Sequence, residues 1–297
     1  MVHFAQQQAV AWTAEPSVAV RTARRSDDVV VRAFLRRDPN ANLFVLSWLA
    51  RHGIVRSGGA VSFSFYLAHA GTSGSLVGVC LLVSQAMALP VGGAAAGRGF
   101  GERLRRLGVD LDHAVGERHC VRGLWHAYGR GRTPRLYRPQ RFMVLDHTGY
   151  LGGPRCQVRR ASVQDLEDLV PLARDMYLEE ALVEPCGGEP GTFRRIQENR
   201  IRRGQVYVWR RQAELLFKTD ISSYDARLGA QLAGVYTVPA HRGQGLATRA
   251  LRDICTDLLR HVPRVSLYVN EDNDAARHVY RRLGFRDHAP WLSIFIN

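Results

Sequence analysis

The sequence predicts a mixed α/β protein made of two consecutive segments of similar plan. Three observations carry that reading. Strand-length apolar runs alternate with stretches of helical period. A turn-rich stretch, His147 to Pro154, divides the 297 residues into two parts, each long enough to bury its own core. An internal echo links the parts: Val20 to Asp27 and Val158 to Asp165 share Val-Arg-x-Ala-x-x-x-Asp at a distance of 138 residues. The expected organisation is a tail over 1–16, a first domain over 17–146, a linker over 147–154 and a second domain over 155–297.

Composition narrows the classes. With 46% hydrophobic and 23% charged residues, 28 Gly and 12 Pro, the chain is globular rather than disordered or collagen-like. No stretch reaches the roughly 18 apolar residues of a membrane span. The first sixteen residues lack a basic cluster followed by an apolar core, so no secretory signal is read there and a cytoplasmic location is expected. Five cysteines (Cys80, Cys120, Cys156, Cys186, Cys255) without a Cys-x-x-Cys pair exclude a complete disulfide framework and the usual zinc spacings. They read as small buried hydrophobes. His113, His119 and His126 fit no metal set and are expected at surface or capping positions. The net charge is +14, and Lys218 is the lone lysine. The excess is concentrated in residues 1–150, where 19 Arg face 9 acids, against 22 bases and 18 acids in the remainder. A GC-rich genome accounts for the Arg usage; an anionic partner is the functional alternative.

In the first segment, Val29 to Leu49 has helical spacing with a break at Asp38-Pro39. Val61 to His69 and Leu76 to Val83 flank a Gly/Ser turn and predict a β-hairpin. Met87 to Val91 predicts a further strand, followed by a Gly-rich turn and a basic helix over Glu102 to Leu107. In the second segment, Leu166, Leu169, Val170, Ala173, Met176 and Tyr177 share one helix face. Gln205 to Arg210, Glu214 to Asp220 and Leu232 to Val238 predict strands, and Trp291 to Ile296 predicts the strand that closes the domain. Arg194, Arg195, Arg200, Arg202 and Arg203 form a basic stripe, read as a solvated helix face, with a clamp for an anionic ligand as the alternative.

The chemistry lies in two blocks. Leu232 to Leu259 runs from an apolar strand through Pro239-Ala240-His241 into a Gly-containing loop and a helix, whose Leu246, Ala250, Ile254 and Leu258 recur every four residues. Gly243, Gly245 and Ala247 stand where that helix begins. Its first N–H groups have no internal acceptors, so this end suits phosphate, and Arg242 adds positive charge. A Walker loop is absent, and Gly-x-Gly-x-x-Gly fails because position 248 is Thr. In the second block, Val265, Leu267 and Val269 alternate as one face of a strand. Asn273 and Asp274 then cap a helix carrying Ala276, Val279, Tyr280 and Leu283, which Gly284 closes.

Arg242, Gly245 and Ala247 form Arg-x-x-Gly-x-Ala, which resembles the pyrophosphate loop of the GNAT superfamily of N-acetyltransferases. Asn-x-x-Ala-x-x-x-Tyr-x-x-x-Gly-Phe, beginning 31 residues after Arg242, resembles the second GNAT motif in spacing and residue type. The resemblance covers Cys156 to Asn297. It implies a mixed sheet whose fourth and fifth strands splay around acetyl-CoA. It further implies that the backbone of Tyr236, Thr237 and Val238 pairs with the pantetheine arm. Arg242, Gly243, Gln244, Gly245, Leu246, Ala247 and Thr248 would hold the pyrophosphate. Asn273 would contact pantetheine or orient its helix, with Ala276 beside the cofactor. Tyr280 takes the position of the family's general acid, where a phenol of pKa about 10 can protonate a departing thiolate.

The first segment resembles a GNAT domain in outline only. It offers Gly99 and Gly101, but Ala96 stands in place of the Arg, and nothing matches Asn273 with Tyr280. The implied arrangement is a degenerate N-terminal half supporting an active one, the tandem plan found in actinobacteria. A second acyl-CoA site is the alternative.

The implied activity is transfer of acetyl from acetyl-CoA to a primary amine, on a small molecule or a protein. The base stays open: the strand Leu232 to Val238 lacks the family's usual Glu, leaving Asp220, Glu179, Glu180, Glu184 or a water chain. A non-catalytic acyl-CoA sensor is a second reading. An RNA-directed transferase is a third, and needs a degenerate pyrophosphate loop where this one is intact. No membrane partner and no metal are expected.

Overall fold

The computed structural model describes residues 18–55, 62–71, 74–84, 86–148 and 155–296. The expected tail and positions 149–154 of the expected linker lie outside them. The first half runs β1 (Val18–Thr22), α1 (Asp28–Leu35), α2 (Leu43–His52), β2 (Phe63–Ala70), β3 (Leu76–Val83), β4 (Met87–Gly92), α3 (Ala94–Arg106), β5 (His113–Glu117), α4 (Arg118–Gly129) and β6 (Leu136–Asp146). The second half runs β7 (Val158–Arg160), α5 (Leu166–Ala181), α6 (Pro190–Arg202), β8 (Val206–Arg211), β9 (Glu214–Asp225), β10 (Gly229–Thr237), α7 (Leu246–Leu259), β11 (Arg264–Asn270), α8 (Asp274–Arg282) and β12 (Arg286–Phe295).

The twelve strands among the described residues join one mixed sheet, in the order β1-β2-β3-β4-β5-β12-β6-β11-β10-β9-β8-β7. The two halves meet by exchanging their last strands. The sequence expectation was a second half closing on itself through Trp291 to Ile296; instead β12 lies antiparallel between β5 and β6, and β6 is the neighbour of β11. The side chains explain the exchange. Leu292 and Ile294 are buried in the first-half core with Phe100 and Leu124, whereas Met143 and Leu145 of β6 are buried with Leu251 and Val265 of the second half. Each core is completed by a strand from the other half, a strong coupling because burying a Leu or Ile side chain contributes about 1.5–3 kcal/mol.

The internal echo is a structural repeat. Arg21 grips Asp27 with both terminal nitrogens at 2.7 Å, and Arg159 grips Asp165 at 2.7 and 2.8 Å. In each copy the carboxylate also accepts the N–H three residues upstream, of Arg24 at 2.7 Å or Ser162 at 2.8 Å, and so caps the helical turn leading into α1 or α5. The Ala of the motif is buried in both copies. The Arg21 hydrogen bonds, opposed by burial, hold the Asp27 carboxyl down at about 2. A depressed carboxyl stabilises the fold above its unfolded pKa, and that contribution is lost as pH falls through its folded pKa. Asp27→Asn is therefore expected to cost roughly 2 kcal/mol at pH 6, with the difference from wild type shrinking between about pH 4 and pH 2. Urea unfolding of both proteins across that range measures it.

The Gly-rich segment departs from expectation. The helix begins at Ala94 rather than Glu102, so Gly97, Gly99 and Gly101 lie inside α3. Close packing is the cause. A Cβ on Gly97 would stand 2.1 Å from the Cys120 carbonyl oxygen, one on Gly101 2.3 Å from that of Leu124, and one on Gly123 of α4 2.3 Å from that of Ala94. Only glycine permits α3 and α4 to approach so closely, and that approach outweighs its poor helix propensity.

Candidate active site

β10 and β11 run parallel and pair only at Ala230 with Val265 and Gln231 with Ser266, after which they part. β10 carries an irregularity between Ala233 and Tyr236, where Gly234 takes φ +57°. The parting opens a cleft of about 630 Å³. One wall is Leu232 to Thr237 and the other Leu267 to Asn270; α7 and α8 begin above it, and residues of α5, β5, β6 and β12 close its far end.

The loop into α7 leaves a helix start open toward the cleft, a geometry that can receive an anion. Gly243 and Gly245 adopt φ +78° and +71°, and a Cβ on either would meet nothing within 4 Å. These glycines are required for backbone conformation, not for packing. No side chain caps α7, so its first-turn amides face the cleft without a side-chain acceptor. Arg242 stands beside them. Its Nη2 pairs with the Glu179 carboxylate at 2.9 and 3.1 Å, its Nε donates to the Thr237 carbonyl at 3.1 Å, and its guanidinium lies 5.1 Å from the Tyr236 ring centroid. The Tyr236 hydroxyl donates to Glu179 at 2.6 Å; burial, then this bond, pushes the phenol up to about 12.

The residues expected to bind cofactor fall largely together. Tyr236, Thr237, Arg242, Gly243, Gly245, Leu246, Ala247, Thr248, Asn273 and Ala276 line the cleft; Val238 and Gln244 do not. The Val238 N–H is already given to Leu216 O at 3.0 Å, an edge bond to β9. Asn273 caps α8 by accepting from Ala276 N at 3.0 Å. Tyr280 lines the cleft, is only 6% exposed and packs edge-on against Phe285. Burial, reinforced by Glu180 and Cys255, raises its phenol well above the usual range, so it stays protonated and can donate.

The four candidate bases separate. Asp220 is buried away from the cleft, its Oδ2 accepting from Lys218 Nζ at 2.9 Å and Arg200 at 3.1 Å. Glu184 pairs with Arg174 at the surface, and Glu179 is held by Arg242 and Tyr236. Glu180 lines the cleft, where burial raises its carboxyl, opposed by Arg138. A chain of hydrogen bonds fixes its neighbour Asn270: Ser293 Oγ donates to Gln140 Oε1 at 2.9 Å and Gln140 Nε2 to Asn270 Oδ1 at 2.9 Å, and the Asn270 side chain acts to lower the Glu180 carboxyl against its burial. Gln140 and Ser293 belong to the exchanged strands, which gave the sequence no local signal linking them to Glu180.

His113 corrects an expectation. Instead of lying at the surface it lines the cleft and stacks on Phe295, centroids 4.3 Å apart and planes 8° from parallel, and burial lowers it to about 4. His119 and His126 are exposed, as expected. The Arg stripe lies along and just beyond α6, outside the cleft, with Arg194, Arg195, Arg200 and Arg202 paired with Glu167, Thr192, Asp220 and Glu198 in turn. Cys80, Cys120 and Cys255 are buried, Cys156 is half-buried and Cys186 is exposed. Among the described residues no group of acids, His and Cys could hold a metal ion, and no helix is long and apolar enough to cross a membrane.

The first half repeats the plan without the opening. β4 and β5 also pair in parallel at only two positions, Met87 with His113 and Ala88 with Ala114. Beyond them the strands stay close: a Cβ on Gly116 would stand 2.9 Å from Pro90 O. Above them α3 and α4 pack directly through their glycines.

Comparison with known proteins agrees with this architecture. Residues 189–285 match the model of the Acetyltransferase (GNAT) family. Over 94% of the chain, the fold is similar to a GNAT-family acetyltransferase from Colwellia psychrerythraea (11% identity, 99% of that chain, TM-score 0.56). It is similar also to a Drosophila protein (16% identity, 94% of this chain and 99% of that one, TM-score 0.61). A tandem GNAT protein from the clavulanic acid biosynthesis pathway is alike at 17% identity, 94% of this chain and 98% of that one, with TM-score 0.53. The chain thus has the GNAT fold, and its residues 189–285 carry the match to the acetyltransferase family.

Proposed function

We propose that the protein transfers an acetyl group from acetyl-CoA to a primary amine, in the cleft between β10 and β11. One observation carries the reading: the strands part directly beneath an uncapped helix start whose two left-handed glycines leave open space for a diphosphate. Acetyl-CoA supplies the thioester, an acetyl group already activated toward amines. Arg242 and the α7 amides hold the diphosphate, with Arg242 exchanging part of its bond to Glu179 for the ligand. Glu180 takes the proton from the acceptor ammonium, and Tyr280 gives one to the departing sulfur. The units are residues 17–146 and 155–297, each finished by the other's last strand. The closed α3–α4 packing supports a first unit that binds no cofactor and serves as scaffold, with His113, Arg138 and Gln140 reaching into the partner cleft.

The test is amine-dependent thiol release from acetyl-CoA, followed against pH. Glu180 acts deprotonated and its carboxyl is raised, so the rate is expected to fall as pH drops through a value above the ordinary carboxylate pKa of about 4.3. Glu180→Gln removes that limb and slows transfer about 100-fold or more. Thiol release indifferent to the amine, or an acid limb unchanged in Glu180→Gln, contradicts the assignment.

A further inference from the structure

The far end of the cleft carries the Glu180 carboxylate and the Arg138 guanidinium, with Glu179, Asp272 and Asp274 at the adjoining opening, and the surroundings of the two differ. Glu180 lies beside Asn270, which the Ser293–Gln140 chain holds in place. Arg138, on β6, is poorly matched. Its nearest acid is Asp272, 3.9 Å away on a side chain 78% exposed, a separation worth little in water. Its Nη2 reaches the Glu180 main-chain oxygen at a long 3.4 Å. Its Nε is buried with no hydrogen-bond partner among the described residues, though only 22% of the side chain is exposed. A half-buried guanidinium with unused donors beside a cleft is costly unless something fills the fork. Arg242, another cleft arginine, is by contrast paired with the Glu179 carboxylate at 2.9 Å and with the Thr237 carbonyl at 3.1 Å.

Charge decides what fills it. A plain cationic amine attracted by Glu180 meets Arg138 as a like charge in the same end of the cleft. An acceptor bearing its own anion satisfies both. A carboxylate fits better than a phosphate dianion, since Asp272 and Asp274 stand at the same opening and a planar carboxylate matches the fork in two bonds. The wall beside this end is the uncharged stack of His113 on Phe295, which suits the carbon body of a small molecule.

We infer that the acceptor is a zwitterionic primary amine of amino-acid type, its ammonium at Glu180 and its carboxylate at Arg138. This rests on the acetyl-transfer reading above and names the substrate class within it. Transfer to glycine and the standard L-amino acids with a primary amine, and to their C-terminal amides, tests it, with rates compared per unprotonated amine. Calorimetry with CoA is run on the same preparation. The expected result is at least one free amino acid with kcat/KM about tenfold or more above its amide. In Arg138→Gln that ratio falls to about one, chiefly through KM, and Arg138→Lys restores part of it. CoA binding together with amides preferred over acids, turnover only of carboxylate-free polyamines such as spermidine, or equal loss on both members of a pair in Arg138→Gln overturns the inference while leaving acetyl transfer standing. Failure to bind CoA overturns the underlying reading itself.

Discussion

Tyr280→Phe is expected to lower kcat about 100- to 10,000-fold while leaving the Kd for CoA within about twofold, because the role proposed for the hydroxyl is on the leaving group and not on the diphosphate. The ring is the structural part of this residue: it packs against Phe285 at a centroid distance of 5.8 Å, and Phe retains that contact. The elevated phenol adds a second expectation. Burial keeps the proton in place beyond the usual tyrosine range, so wild-type kcat is expected to show no loss from Tyr280 ionisation up to about pH 9. A Tyr280→Phe protein with normal kcat would reduce the residue to core packing.

Gly97→Ala is expected to be the most damaging single methyl in the first half, at about 3 kcal/mol. The added carbon would lie 2.1 Å from a backbone carbonyl oxygen, so no side-chain rotation relieves it and α3 must move away from α4. Gly93→Ala is the control: it lies at the N-cap of the same helix with nothing within 4 Å of its Cβ position, and a change within about 0.5 kcal/mol is expected. Urea midpoints of the two variants decide between close helix packing and an ordinary surface helix. Equal midpoints would mean that α3 and α4 are not in contact as described.

The parts of the fold legible in the sequence are those encoded locally. The β2–β3 hairpin, α5, and the run from β10 to α8 carry period and punctuation within a few residues of themselves, and the structure places them within a few residues of expectation. The echo was legible because its Arg and Asp close a six-residue interval, a contact a single copy of the motif can make alone. β6 was not legible. Its Arg138-Pro139-Gln140-Arg141 reads as a polar loop, and proline argues against an inner strand. The structure tolerates Pro139 in register with Leu292, and its carbonyl accepts from Glu271 N at 2.9 Å. The exchange of β6 and β12 depends on pairings more than 100 residues apart, so no window of sequence contains it. The site divides in the same way. Arg242, the loop glycines, Asn273 and Tyr280 sit within two short motifs. Glu180, Arg138 and His113 reach the cleft only through tertiary packing, and His113 looked like a surface residue because its cover, Phe295, is the far end of the chain. The start of α3 is not legible because Gly97, Gly99 and Gly101 signal a turn locally, whereas in the fold glycine is the residue that lets two helices touch.

The function proposed here requires that one helix start, at α7, hold the diphosphate of an acyl-CoA. The most direct measurement is electron density from a crystal grown with CoA, read together with the stoichiometry by calorimetry. The expected result is one molecule per chain, its diphosphate against the amides of 245–248 and its pantetheine between β10 and β11, with nothing bound at the start of α3. Density at α3, or a CoA bound elsewhere with the β10–β11 cleft empty, would contradict the account.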